Sequence, residues 1–254
     1  MLHRNGFCLF VILWTVINLT MAAVTTHAVE VEPGAVLSAK FAEDIRQLET
    51  LADNSAYDEA FATGEALLPR VRAEFLGASY DEAKILDFMV YACYRSRRVM
   101  LPEAITMGEE AIRIKEVLLG SQSPELANSL MHMGNLYCRR WEVEQAIPLY
   151  DRAIKILTAA GPDYDDQRAI ILNSTGVAYR RSAQNTEALR FYGQALAIQV
   201  RVLGPDHPDV ASTLNNQAIV LGEQGDYASG VKLHRRALAI REKHFGPDHE
   251  WVGE

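Results

Sequence analysis

Along most of the chain the apolar residues return every three or four positions, the spacing of a helix that buries one face. From Ala35 the run Leu37, Phe41, Ile45, Leu48 and Leu51 sets the first such face. A second run begins after Ser55, which stands three residues before Asp58 in a capping-box-like arrangement. Pro69 lies inside that second run and predicts a kink. The alternation of helix, polar turn and helix then recurs at a fixed period. Gly204 and Gly246 each open a Gly-Pro-Asp-His turn and stand 42 residues apart. At the same period Ala104, Ala146, Ala188 and Gly230 align, and so do Ala111, Ala153, Ala195 and Ala237. One such unit cannot bury its own apolar face, so the pattern predicts an all-α solenoid of stacked antiparallel helix pairs.

The units follow in order. A degenerate pair occupies 36–76, repeats occupy about 80–119, 123–160, 165–203 and 208–245, and a further helix starts at 250–254. Ser123 and Asn185 are expected to cap helices, and Asp226, after Gly225, to cap the second helix of the last unit. Pro102 falls at the start of a helix, where proline is tolerated, whereas Pro148 falls inside one and predicts a bend.

The first helix of each unit keeps Leu, Gly and Tyr at matching offsets (Leu130, Gly134, Tyr137; Leu172, Gly176, Tyr179), and the second keeps small, aromatic, small (Ala146, Tyr150, Ala153; Ala188, Tyr192, Ala195). This pattern resembles the tetratricopeptide repeat, whose usual period is about 34 residues. The longer unit, with Gly-Pro-Asp-His-Pro at 204–208 and Leu-Asn-Asn at 214–216, is similar to the kinesin-light-chain type. The resemblance implies a right-handed superhelix whose inner groove, lined by the first helices, binds protein or peptide. It is unspecific as to function beyond binding, since solenoids of this kind carry many binding roles. The motor partnership of that family is not implied, since no amino-terminal coiled coil precedes the repeats.

Residues 1–28 differ from the rest. Arg4 gives a positive start, Gly6 to Leu19 is apolar, and Thr20 to Ala28 is small and polar, which together read as a secretory signal peptide with cleavage after Ala28, or after Ala22 or Ala23. The apolar run falls short of the roughly 20 residues that span a bilayer. The competing reading is an uncleaved anchor, the one case in which a membrane is a partner. A short acidic linker covers 29–35, and the expected location is secreted or periplasmic.

Composition narrows the partners. The formal charge of -8 argues against nucleic acid, which needs clustered Lys and Arg. A His/Cys metal set, a glycine-rich phosphate loop and a Gly-x-Ser-x-Gly elbow are all missing from the sequence, so no metal, cofactor or enzymatic role is expected. His207 and His249 belong to the repeated turn, and His234 stands at the Tyr150 and Tyr192 position. Cys93 and Cys138 lie in neighbouring units and read as two buried thiols or, in an oxidising compartment, a disulfide. Asn173-Ser174-Thr175 is a glycosylation sequon inside a helix.

The remaining signal is a basic ladder on an acidic chain. Arg97, Arg139 and Arg181 recur at the repeat period just before the internal turns, reinforced by Arg98, Arg140 and Arg180. Asn135, Asn173 and Asn215 are expected to face the same groove, and the resemblance implies that groove asparagines grip an extended peptide backbone, because a carboxamide offers both a donor and an acceptor. The arginines would then grip an acidic ligand. The alternative is that each arginine pairs with a neighbouring glutamate or caps first-helix carbonyls. Two further alternatives stay open: self-association through an uncapped carboxy-terminal repeat, and an enzyme whose residues converge only in three dimensions.

Overall fold

A computed structural model describes residues 37–246. The expected leader, the linker through residue 35 and the start of a further helix at 250–254 lie outside the described residues. Ten α-helices follow one another, with no strand among the described residues. They pair as α1 (Ala42–Asp53) with α2 (Tyr57–Glu74), α3 (Tyr80–Arg95) with α4 (Glu103–Leu119), α5 (Glu125–Arg139) with α6 (Val143–Ala160), α7 (Asp165–Arg181) with α8 (Asn185–Val202), and α9 (Pro208–Glu223) with α10 (Tyr227–Phe245). Both interior prolines are accommodated: α2 runs through Pro69 and α6 through Pro148 without interruption.

Every helix packs on the next, and the odd-numbered helices also lie side by side. Hydrogen bonds one repeat apart tie their ends together. At the amino-terminal ends Ser38 donates to the Asp81 carboxylate, Tyr80 Oη donates to Glu125 at 2.8 Å, and Gln167 Nε2 donates to Asn128 at 2.6 Å. At the carboxy-terminal ends Arg181 donates to the Cys138 carbonyl at 2.6 Å and Arg180 to Glu223 at 3.0 Å. The odd helices therefore form one continuous face, with all internal turns along one edge.

The turns depart from several expectations. Gly120, Gly161, Gly204 and Gly246 all close second helices at positive φ, a conformation glycine adopts without steric cost. Four of the five internal turns adopt the same conformation, yet three of these place a side chain there: Ser55, Trp141 and Ala183 sit at φ of 59°, 66° and 59°, with Gly225 the one glycine, while the α3–α4 turn runs through a 3-10 turn at Arg97–Met100 without a positive φ. Ser55 thus turns the chain and caps nothing, because the residue before α2 is Ala56. Ser123 likewise gives way to Pro124, and Asn185 is already the first residue of α8 with its Oδ1 buried and unpartnered. Asp226 does cap α10, accepting from the Ser229 amide at 3.1 Å, and Ser79 caps α3 by accepting from the Glu82 amide at 3.2 Å.

Small residues let the layers close, in two different ways. Gly134 and Gly176 accept the rings of Tyr150 and Tyr192 from their own units: a Cβ on Gly134 would stand 2.6 Å from the Tyr150 ring. These tyrosines therefore fill the inside of a unit. Between units, Gly64 and Gly108 receive Met89 and Met133 of the following first helix. Three interfaces then use one grid differently. Lys115, Leu157 and Gln199 stand 42 residues apart, opposite Ser129, Ile171 and Thr213. The first is ionic: buried Lys115 donates to Asp87 at 2.6 Å and to the Glu125 carbonyl at 3.1 Å, while Ser129 donates to the same Asp87 oxygen at 3.0 Å. The second is apolar, and in the third Thr213 donates to Gln199 at 2.8 Å.

The two ends of the described stack are unlike. Forty-two residues before the buried Ile85, Met89 and Ala92 of α3, helix α1 carries the exposed Glu43, Gln47 and Thr50, so its outer face is polar. On α10, Val231 and Leu238 are 48% and 41% exposed, although the residues at their positions in earlier units, Leu189 and Leu196 among them, are half-buried.

Candidate functional site

The inner faces of α3, α5 and α7 enclose an open trough of about 620 Å³, with Asp209 of α9 at its far end. Three kinds of side chain line it. Arg95, Arg139 and Arg181 stand along the internal-turn edge; Met131, Ile170 and Val177 supply apolar surface; and Tyr91, Tyr94, Asn135 and Tyr150 form a hydroxyl-rich wall. Each position follows from helix periodicity, since Met131, Asn135, Cys138 and Arg139 are spaced to share one face of α5.

The tyrosine wall is ordered by its own contacts. Tyr91 and Tyr94 meet edge to face with centroids 5.3 Å apart, and both rings lie against His132, at 5.4 and 6.0 Å. Tyr150 Oη donates to Asn135 Oδ1 at 2.7 Å. Burial pushes the Tyr94 and Tyr150 hydroxyls and the Cys138 thiol above their ordinary ranges, so all three keep their protons at neutral pH. Burial moves His132 the other way, down to about 4, and its Nδ1 is buried with no partner. The wall is therefore neutral, and the charge of the trough resides in its arginines and Asp209.

The basic ladder separates into parts. Arg98 pairs with Asp58 at 3.2 Å, Arg140 with Glu142 at 2.9 Å and Arg180 with Glu223 at 3.0 Å. Arg181 holds the Cys138 carbonyl and lies 4.7 Å above the Trp141 ring, so it caps the carboxy-terminal end of α5 while edging the trough. Arg139 is exposed and makes no ion pair among the described residues. Arg97 does not join the row. Helix α3 ends at Arg95, and a 3-10 turn at Arg97–Met100 carries Arg97 out of the trough, so Arg95 takes its place and donates to Tyr57 Oη at 2.9 Å.

The asparagines are likewise not one row. Asn173 and Asn215 share a grid position, whereas the counterpart of Asn135 one repeat later is Val177. Asn135 lines the trough. Asn173 instead accepts from Asn216 at 3.1 Å and bridges α7 to α9, which also leaves the sequon asparagine engaged inside a helix. Asn215 lies 2.8 Å from His234 Nδ1 in a separate pocket of about 290 Å³. Tyr91, Tyr94, Ile170 and Asp209 are trough residues that sequence reasoning missed; their signal was departure from the repeat pattern rather than recurrence of it.

A family model described as tetratricopeptide repeat matches residues 125–199, 167–243 and 209–254, and together these matches cover half of the chain. The chain belongs to the tetratricopeptide-repeat family. Its fold is that of the kinesin-light-chain-like repeats. It is similar to the putative kinesin light chain nearly identical TPR-like repeats of Podosopora anserina, at 20% identity and a TM-score of 0.65 over 80% of this chain and 95% of that one. It is also similar to BtubC (BKLC) from P. vanneervenii, at 22% identity and a TM-score of 0.63 over 77% of this chain and 76% of that one. The apo form of RapI matches at 13% identity and a TM-score of 0.64 over 80% of this chain and 71% of that one. No curated protein matches the chain.

Within these tetratricopeptide repeats Cys93 and Cys138 are both buried and unbridged. Burial pushes the Cys93 thiol up to about 12 although Arg98 pulls it down. Such a thiol is a packing residue, not a nucleophile.

Proposed function

We propose that the trough between α3, α5 and α7 binds an extended, acidic segment of another protein, and that the chain acts as a non-catalytic interaction scaffold. The observation that carries this reading is Arg139, an exposed guanidinium at the rim of a trough of about 620 Å³ with no carboxylate of its own. A carboxylate supplied in trans would satisfy it bidentately. Neighbouring first helices stand about 10 Å apart, and an extended chain advances about 3.3 Å per residue. Arg95, Arg139 and Arg181 would therefore meet every third ligand residue. Ile170, 42% exposed, offers apolar contact between them, and Asn135 can bond the ligand backbone. The neutral, protonated tyrosine wall supports binding over chemistry. Exposed ion pairs contribute at most about 1 kcal/mol each, so affinity should be modest and salt-sensitive.

The test is a selection from a displayed library of random nonapeptides against the purified protein. Enriched peptides should be rich in Asp and Glu, and Arg139→Glu, which removes one attraction and adds a repulsion, should weaken their binding about five- to tenfold. Arg97→Glu, an equally exposed arginine outside the trough, should leave binding unchanged. Enrichment without acidic residues, or equal losses from the two substitutions, would sink the reading.

We further propose that the protein is exported, with residues 1–28 removed and a mature terminus near Val29. The charge, apolar run and small-residue tail of that segment support this. No helix among the described residues is long and apolar enough to cross a membrane. Intact mass of protein from its native host decides the matter, and an intact Met1 would refute processing.

A further inference from the structure

The trough has two unlike ends. Its floor is one stripe of α7, in which Arg181, Val177, Ser174 and Ile170 follow at spacings of four, three and four residues and so share a face. Arg181 closes that helix at the internal-turn edge, and Arg139 closes α5 on the same edge. At the other edge, past Ile170, lies Asp209, the second residue of α9. On the 42-residue grid Asp209 corresponds to Gln167, which stands 14 residues before Arg181 on α7. At 1.5 Å per residue that is about 21 Å, a length that an extended chain covers in about six residues.

A local departure from the repeat leaves Asp209 open. One repeat earlier the same junction is closed, because Gln167 Nε2 donates to Asn128 at 2.6 Å. Forty-two residues on, Gln167 becomes Asp209 and Asn128 becomes Ile170, which has no polar group to offer. The Glu125 carboxylate, at the same grid position in α5, is also taken, by Tyr80 Oη at 2.8 Å. Among the described residues the Asp209 carboxylate meets one ionisable group, His207 Nδ1 at 3.6 Å. That nitrogen already accepts from the Asp209 amide at 3.2 Å, so it carries no proton to give the carboxylate. The Asp209 side chain is 47% exposed and Ile170 is 42% exposed. A carboxylate and bare aliphatic surface therefore share the end of the trough that lies away from Arg139 and Arg181.

We propose that Asp209 and Ile170 form a subsite for a lysine or arginine of the bound segment. The trough then recognises a bipolar sequence, with acidic residues on Arg139 and Arg181 and a basic residue about six positions away. A long basic side chain fits this pair because its methylenes can lie on Ile170 while its charged head reaches Asp209. The helix dipole alone does not account for the placement: α5 and α7 also carry acidic residues in their first turns, Glu125 and Asp165 with Asp166, and none of these lines the trough. The consequence is orientation. A uniformly acidic segment would set a carboxylate against Asp209 in either chain direction, whereas a bipolar one matches both ends of the trough in one direction alone. The subsite rests on the reading of the trough as a peptide site, and adds to it the residue that fixes the direction of the segment.

Selection from a displayed library of random dodecapeptides tests the subsite, run on the full protein and on its Asp209→Lys and Asp209→Asn variants. Circular dichroism checks that each variant is folded, and Asp209→Asn, which keeps the shape of the side chain, serves alone if the lysine unsettles α9. Peptides enriched on the parent protein should carry Lys or Arg at one fixed spacing, about six residues from the nearer of two acidic positions. On Asp209→Lys an acidic residue should appear at that spacing instead, and on Asp209→Asn neither charge should be preferred there. In one enriched peptide, changing the basic residue to Glu should weaken binding to the parent about five- to tenfold, and Asp209→Lys should recover most of that loss. Acidic peptides with no basic residue at a fixed spacing would overturn the subsite and leave the trough reading standing. The same holds if the parent and the Asp209 variants enrich the same sequences. Enriched peptides without acidic residues would overturn both.

Discussion

The ionic interface between α3, α4 and α5 gives the sharpest test of how this stack is held together. Lys115 is 1% exposed and its ammonium reaches Asp87, the Glu125 carbonyl and, through the shared carboxylate, Ser129. Lys115→Met keeps most of the stem's volume but leaves the Asp87 carboxylate, only 6% exposed, with Ser129 as its remaining donor in this network. Breaking one member of a buried pair typically costs about 3–5 kcal/mol, because the charge left behind is neither solvated nor matched. Replacing the pair together, as Lys115→Met/Asp87→Leu, removes both desolvation penalties and should bring stability back to within about 1 kcal/mol of the parent protein or above it. The next interface on the same grid, Leu157 against Ile171, already works without charge. Urea unfolding followed by helical dichroism measures the effect. With a slope of roughly 2–3 kcal/mol per molar, the single substitution should move the midpoint down by about 1–2 M. Stacked repeats can unfold in parts, so hydrogen exchange at α3 to α5 should localise the loss to that junction. A single variant that loses less than about 1 kcal/mol, or a double variant as weak as the single, would refute the reasoning.

Two further outcomes follow from the packing and from His132. Gly134→Ala drives a Cβ to 2.6 Å from the Tyr150 ring and should cost about 1–3 kcal/mol in thermal melts, whereas Gly193→Ala, with nothing within 4 Å, should be neutral or gain up to about 1 kcal/mol. His132 is held at about 4 in the folded protein, against about 6.5 when unfolded, so the unfolded chain binds the extra proton first as pH falls. Stability should therefore be full above about pH 6.5 and drop by roughly 3 kcal/mol by pH 4, and His132→Phe should flatten that slope in urea titrations at stepped pH.

The architecture was legible because its physical requirements repeat. Small residues at Ala104, Ala146 and Ala188 recur where two helices must approach, and Gly134 and Gly176 recur where a tyrosine ring must lie, so a period of 42 carries the fold. The turns were less legible. Trp141 and Ala183 adopt the left-handed conformation that Gly225 adopts at their position, because the surrounding helix pair fixes the chain direction and outweighs about 1 kcal/mol of local strain. The early end of α3 was not legible either, and it moved the groove arginine of its unit from Arg97 to Arg95. Nor does sequence distinguish Arg139 from Arg140: the difference is Glu142, which the turn folds back onto Arg140 alone.

These particulars bear on where recognition resides. A residue that recurs in every unit is under the constraint that every unit shares, which is stacking, and the structure uses most of the recurring arginines that way: Arg98, Arg140 and Arg180 are neutralised by carboxylates, and Arg181 closes a helix. The residues that make the trough different from a uniform groove break the pattern. His132 backs Tyr91 and Tyr94 in place of an ordinary apolar packing residue, Ile170 leaves an apolar side chain exposed, and Asp209 puts a carboxylate opposite the arginines. A ligand that touched only the repeated positions would bind every unit alike and in any register. One that also meets Tyr94, Ile170 and Asp209, each found once along the trough, has a single register in which its apolar and charged groups are all matched. On the proposed reading of the trough, selectivity should therefore respond more to Ile170 and Asp209 than to any one member of the ladder, with the arginines expected to supply most of the salt-sensitive attraction.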